Sequence, residues 1–217
     1  MNDPWDDLTR INPGYGMPRY SRVEVSDLLV AMLGLSVAFM ILLYRGGTEL
    51  HSEFAMNMLF IFSLSLALVS TSFIFHELAH KVVAQRYGAW AEFRLNPRGL
   101  LLAMVMSLFG FLFAAPGAVY IRGMIDQRRN AIISIAGPLV NIVIGGTALI
   151  CALFSSGTIY SIFLLFAMLN GFLALFNLLP IPPLDGSKIY GWNMPIYIMM
   201  MVLAGVILAG GWGFLPI

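Results

Sequence analysis

The chain predicts an all-α polytopic membrane protein, with about five to six transmembrane helices and a re-entrant or β-hairpin element at the membrane surface. Three observations carry that prediction. Of its 217 residues, 59% are hydrophobic and 11% charged, with a mean hydropathy of +0.86, whereas soluble domains run near ~25% charged. Five apolar runs approach or exceed the roughly 20 residues that a helix needs to cross a bilayer: residues 27–44, 56–83, 131–154, 159–179 and 195–213. A sixth run, residues 100–121, is interrupted by Ala114-Ala115-Pro116-Gly117-Ala118, a cluster of helix breakers.

Taken in order, residues 1–24 form a polar N-terminal segment holding Asp3, Asp6, Asp7 and several prolines and glycines. It has neither a basic start nor a small-residue cleavage site, so no cleaved signal peptide is expected. Residues 25–217 read as a single membrane-embedded domain. No polar stretch approaches the ~50 residues of a small soluble module.

Lys and Arg favour the cytoplasmic ends of spans. Arg10, Arg19 and Arg22 precede the first span, and Lys81, Arg86, Arg94 and Arg98 follow the second, which puts both sets on the cytoplasmic face. Arg122, Arg128 and Arg129 stay on that face only if residues 100–121 fold back without crossing. That run is therefore expected to be re-entrant and sheltered by protein, because irregular backbone cannot face lipid.

Residues 89–95 alternate, with Trp90, Glu92 and Arg94 on one side and Ala91, Phe93 and Leu95 on the other, which is a strand period. With residues 118–121 they make a small sheet just after the second span. An exposed edge of that sheet suits pairing with an extended peptide; equally, the strands serve only to pack the structure. The net charge of +1 and the lack of a basic cluster argue against nucleic acid. Cys151, the single cysteine, lies in an apolar run and offers neither a disulfide nor a thiolate metal site.

Phe75-His76-Glu77-Leu78-Ala79-His80 closes the second apolar run with an HExxH motif. On a helix, positions i and i+4 share a face, so His76 and His80 can aim imidazole nitrogens at one metal ion. Zinc is the expected occupant, one ion per chain. Glu77 adjoins the first ligand and is placed to act as general base on water. Two imidazoles and a carboxylate near hydrocarbon cost several kcal/mol unless paired or metal-bound, which disfavours a bland core role.

Catalytic zinc takes three protein ligands. His51 lies roughly 37 Å from His76 along a continuous helix and is excluded on that basis. Asp185 follows Asn177-Leu178-Leu179-Pro180-Ile181-Pro182-Pro183-Leu184, where three prolines end the fourth span and leave irregular backbone beside Asp185-Gly186. Two full crossings separate His80 from Asp185 if residues 100–121 fold back, so both reach the same face. A third crossing would separate them.

These residues resemble the site-2 protease family of intramembrane zinc metalloproteases, peptidase family M50. The matching segments are the HExxH motif, Gly137-Pro138-Leu139-Val140-Asn141, and Asn177 through Asp185-Gly186, in the expected order. The resemblance implies zinc held by His76, His80 and Asp185, with Glu77 activating water. It makes residues 25–217 a membrane-embedded metalloprotease domain acting on single-span membrane proteins in the bilayer. The expected setting is the cell membrane, multi-pass, with the active site near the cytoplasmic side. Asn141 and Asn177 correspond to asparagines near the family's active site, or bond neighbouring helices; Lys188 either supports Asp185 or sits at the interface. A PDZ or CBS domain, found in many relatives, is not expected within these 217 residues. A homo-oligomer is compatible with the sequence, as is a monomer. Two other readings of the same residues are a membrane metal transporter and a non-catalytic zinc-binding adaptor.

Overall fold

The computed structural model describes residues 19–45, 58–111 and 116–213. His51 and the Ala114-Ala115 part of the breaker cluster lie outside the described residues. Helix α1, Arg22–Arg45, is followed by α2, Met58–Arg86. Then come strand β1, Trp90–Leu95, the short helix α3, Pro97–Ser107, and strand β2, Gly117–Arg122. Helices α4, Gln127–Leu153, α5, Gly157–Asn177, α6, Asp185–Tyr190, and α7, Met194–Gly211, follow.

Among the described residues five helices, α1, α2, α4, α5 and α7, are long and apolar enough to cross a membrane, with 24, 29, 27, 21 and 18 residues. At ~1.5 Å per residue they run from about 27 to about 43 Å, against a hydrocarbon core of ~30 Å. Their outward faces carry exposed Leu29, Leu33, Val143, Ile150, Ile198 and Val202, the reverse of a water-facing helix. The predicted polytopic architecture is therefore present.

Local sequence explains where the helices begin. Asn96 Oδ1 accepts the Gly99 N–H at 3.2 Å ahead of Pro97, Asp126 Oδ1 accepts Arg129 N–H at 2.8 Å, and Asn193 Oδ1 accepts Ile196 N–H at 3.1 Å. Each is a side-chain cap that satisfies a backbone donor no carbonyl of its own helix can reach. Inside α2 the ladder widens into a π-helical turn at Ser70–Ile74, closed by the Phe75 N–H donating to Ser70 O. Nothing in the apolar pattern announces that turn.

The run at residues 100–121 does not span. Helix α3 has 11 residues, about 16 Å, half the hydrocarbon thickness. β2 follows it and pairs antiparallel with β1, in register from Trp90↔Arg122 to Leu95↔Gly117. The alternation read in the sequence is the alternation seen: Ala91 and Phe93 are fully buried. Trp90 meets the Arg122 guanidinium and Tyr87 that of Arg129, each at 5.7 Å. Such aromatic and cationic pairs suit a membrane–water boundary.

Among the described residues three apolar clusters form, the smallest joining Ala84, Ala89, Ala91 and Ile133 beneath the hairpin. Of the larger two, one joins α1, α2, α3 and α5 through Leu35, Phe39, Leu68, Leu100 and Leu169. The other joins α4, α5 and α7 through Ile142, Ala167, Ala174, Ala204 and Ile207. At α5 and α7 the backbones touch: a Cβ on Gly171 would stand 2.6 Å from Leu208 N, and one on Gly211 would stand 2.3 Å from Met168 N. Close approach through small residues is how helices associate where lipid removes the usual hydrophobic drive.

The irregular backbone expected beside Asp185 is present after α5, and Asp185 opens the short helix α6 directly behind it. The prolines occupy the turn before it, with a cis Pro182–Pro183 peptide, and Leu184 (φ −60°, ψ 157°) is the extended residue from which α6 starts.

Candidate metal centre

Helix α2 carries His76, Glu77 and His80 near its C-terminal end, and α4 runs antiparallel against them. One turn apart along α4, Ile133, Gly137 and Asn141 meet His80, both imidazoles, and His76 in turn. The Ile133 carbonyl lies 2.8 Å from His80 Nδ1, and Asn141 Oδ1 lies 2.5 Å from His76 Nδ1. A carbonyl oxygen can only accept, so His80 Nδ1 carries the proton. Asn141 Nδ2 donates to the Ser72 carbonyl at 2.8 Å, which turns its oxygen to His76 and assigns that proton to Nδ1 as well.

Both Nε2 atoms are then lone-pair donors, and they converge 3.0 Å apart. Asp185 Oδ2, delivered by α6, lies 3.1 Å from His80 Nε2 and 3.6 Å from His76 Nε2. The side chains of His76, His80 and Asp185 are 6%, 10% and 12% exposed. Three acceptors facing one another out of water require a positive charge among them, and their ligand atoms lie within 4.8 Å of one another. This donor set, two imidazoles and one carboxylate with anchored outer nitrogens, is that of a catalytic zinc site.

Gly137 makes the cradle possible. A Cβ there would stand 2.3 Å from His80 Nε2 and 2.6 Å from His76 Nε2, in the space where the two nitrogens converge. Gly186 does the same for Asp185: a Cβ would lie 2.0 Å from the Leu178 carbonyl oxygen, so the turn after α5 closes onto α6 only with glycine. Glu77 accepts the Val119 N–H at 3.1 Å. That donor points away from β1, whose opposite residue Phe93 sends its own N–H to Glu24 Oε1 at 3.0 Å.

A relative of Methanocaldococcus jannaschii, named "Putative zinc metalloprotease MJ0611", is 40% identical over 179 residues, covering 81% of this chain and 87% of its own length. The chain belongs to peptidase family M50. The Peptidase family M50 model itself matches residues 153–194 of this M50 chain, the segment that brings in Asp185. A second M. jannaschii protein, "Zinc metalloprotease MJ0392", is 32% identical over 154 residues, covering 65% of this chain and 40% of its own length. "Putative zinc metalloprotease YwhC" of Bacillus subtilis is 37% identical over 143 residues, covering 54% of this chain and 63% of its own. No solved structure matches. Family M50 is the site-2 protease family, so this is a multi-pass membrane zinc metalloprotease whose cofactor is Zn2+.

Of the residues the sequence singled out, the structure brings His76, Glu77, His80, Asp185 and Asn141 together. Lys188 reaches the group, with Nζ 3.7 Å from Asp185 Oδ1 while it donates to the Pro183 carbonyl at 2.9 Å. Asn177 donates to its own helix, at the Leu173 carbonyl, 2.9 Å away. Sequence reasoning missed three participants. Asn170 on α5 accepts from Asn141. Glu24 on α1 pairs with Lys81, the residue after His80, and both side chains are fully buried. Tyr20 lies over that ammonium at 3.8 Å, and burial together with the Glu24 carboxylate pushes its phenol above the ordinary value. The signal available was a carboxylate and an amide inside apolar helices, each of which needs a partner.

Proposed function

We propose that this M50 protein is an intramembrane protease of the site-2 type, hydrolysing peptide bonds in or beside the transmembrane segments of single-span membrane proteins. The observation that carries the reading is the HExxH pair on the membrane-length helix α2, met by Asp185 from the short helix α6 that follows a second such helix, with Glu77 tied to the outer edge of a surface hairpin. His76, His80 and Asp185 hold the zinc. When bound, zinc polarises a carbonyl and acidifies water. Glu77 takes a proton from water as the hydroxyl adds to the scissile carbonyl carbon. It returns that proton to the departing amine nitrogen as the C–N bond breaks.

The edge of β2 is the substrate's place in this reading. Gly117, Val119 and Ile121 alternate outward from β1, so an extended peptide can add there as a third strand, with its backbone beside Glu77. A transmembrane helix must unwind to do so, which favours substrates with helix-weakening residues near the cut. The basic residues Lys81, Arg86, Arg122, Arg128 and Arg129 gather at the His80 end, which supports a cytoplasmic-side active site in the cell membrane.

The test is cleavage of a single-span substrate by purified protein in detergent, wild type beside Glu77→Gln, with zinc determined in both. The expected outcome is cleavage by wild type, a loss of about 10²–10⁴-fold in Glu77→Gln, and zinc in both. Turnover that survives the substitution removes Glu77 from its role. Zinc in both with cleavage in neither rejects the protease reading for that substrate, and metal flux into liposomes then examines transport.

A further inference from the structure

The polar residues behind His76 form a directed chain. Asn170 Nδ2 donates to the Phe166 carbonyl at 2.9 Å. That carbonyl can only accept, so the Asn170 amide is oriented with Oδ1 toward Asn141, whose Nδ2 donates to it at 2.9 Å. Asn141 spends its other amide hydrogen on the Ser72 carbonyl, within the π turn of α2, at 2.8 Å. Both donors are committed, and Asn141 Oδ1 is left to face His76 Nδ1. Asn141 and Asn170 are fully buried, so no bulk water competes for these bonds.

We infer that Asn170 is a positioning residue for the metal site: from α5, through Asn141, it fixes the Nδ1–H tautomer of His76 and keeps the Nε2 lone pair on the zinc. The argument is one of polarity and not proximity alone. An amide reversed at Asn141 would put an NH2 group against the Nδ1–H of His76 and a carbonyl oxygen against the Ser72 and Asn170 oxygens. Every contact would then be like against like. Each of the two donor bonds raises the cost of that reversal, and removing Asn170 leaves Ser72 alone to resist it. The Asn141 hydrogen set free in a dry, apolar helix contact has no water to turn to. Groups bonded directly to a ligating histidine, as Asn141 is, carry about 10–100-fold in metal affinity, and Asn170, one bond further out, is expected at the low end of that range. Asn170 lies on a third helix, so the relay also couples the packing of α5 against α4 to the ligand on α2.

The inference rests on the proposed ligand role of His76, and the experiment separates the two. Zinc affinity is measured by chelator competition on wild type, Asn170→Leu and Asn170→Asp, and imidazole 15N spectra are recorded on the same full-length proteins without metal. The chain has 3 histidines, which keeps assignment tractable. Expected are one Nδ1–H tautomer for His76 in wild type, a mixture of tautomers in Asn170→Leu, and a fall of about 10-fold in its zinc affinity. Asn170→Asp retains an acceptor for Asn141 and should recover most of both signals. Asn170→Leu with a single tautomer and affinity within about twofold of wild type overturns the inference, even if its thermal stability drops, because helix packing alone then explains the residue. Asn170→Asp as impaired as Asn170→Leu overturns it too. Wild type that shows the single tautomer yet binds no zinc at His76 rejects the ligand assignment and leaves the relay standing.

Discussion

Replacing Gly137 by Ala adds one methyl group at the most constrained point of the metal site. The new Cβ would lie 2.3 Å from His80 Nε2 and 2.6 Å from His76 Nε2, whereas ordinary carbon contacts begin near 3.4 Å. Relief therefore requires about 1.1 Å of movement at His80. Neither ring can swing away freely, because His80 Nδ1 is held by the Ile133 carbonyl and His76 Nδ1 by Asn141. Moving α4 outward instead breaks those same anchors. Zinc sites tolerate about ±0.2 Å in ligand distance, so a shift near 1 Å should cost at least about 100-fold in zinc affinity, or about 2.8 kcal/mol. Chelator competition on purified Gly137→Ala gives the affinity, and circular dichroism with size-exclusion profiles shows whether the fold is kept. A folded Gly137→Ala protein holding one zinc with wild-type affinity would refute the geometry from which the centre is derived.

Asp185→Asn keeps the shape of the third ligand but removes its charge; zinc affinity should fall by two orders of magnitude or more, read by the same competition, and unchanged affinity would remove Asp185 from the ligand set. Gly186→Ala drives a Cβ into the Leu178 carbonyl at 2.0 Å, so zinc content and thermal midpoint should fall together; a drop in neither would mean the α5–α6 turn yields cheaply. Removing one partner of the buried Glu24–Lys81 pair, as in Lys81→Met, should cost about 3–5 kcal/mol in denaturant unfolding, and Glu24→Gln with Lys81→Met should recover much of that; additive losses would mean that the two do not act as a pair. Acidification should release zinc cooperatively with ligand protonation, since metal and protons compete for the same lone pairs; zinc retained well below the imidazole range would contradict a two-histidine site.

The spans and the hairpin were legible because each has a period or a length that hydrophobicity alone sets. The HExxH pair was legible for the same geometric reason, a spacing of four on a helix. Asp185 stood out as the acid beside the prolines that end the fourth span, and counting crossings checked it, α3 being too short to cross. Asn141 stood out only through the motif around it. Asn170, an amide in an apolar run, signals that it needs a partner but not which one: that partner is 29 positions away on another helix. Glu24 and Lys81 are 57 positions apart, one in a segment that reads as polar tail, the other as a juxtamembrane cation. The π turn at Ser70–Ile74 was invisible because widening a helix by one residue changes no composition. Long-range pairing of polar groups is the part of this fold that no local pattern encodes.

The hairpin has two edges, and they are treated differently. On the β1 side, Glu24 Oε1 accepts the Phe93 N–H at 3.0 Å and Asp27 Oδ2 accepts the Leu95 N–H at 3.2 Å. Two carboxylates one turn apart on α1 thus occupy the donors that a further strand would use, and that side is shut. On the β2 side a single donor, Val119 N–H, is held by Glu77. A backbone N–H serves one strong acceptor at a time, so a peptide settling on that edge and the base contend for the same hydrogen. The idle protein keeps its base tethered; arrival of an extended chain would untie it. In the proposed reaction a helix that stays folded would therefore leave the carboxylate engaged, and only a strand laid along the β2 edge would free it.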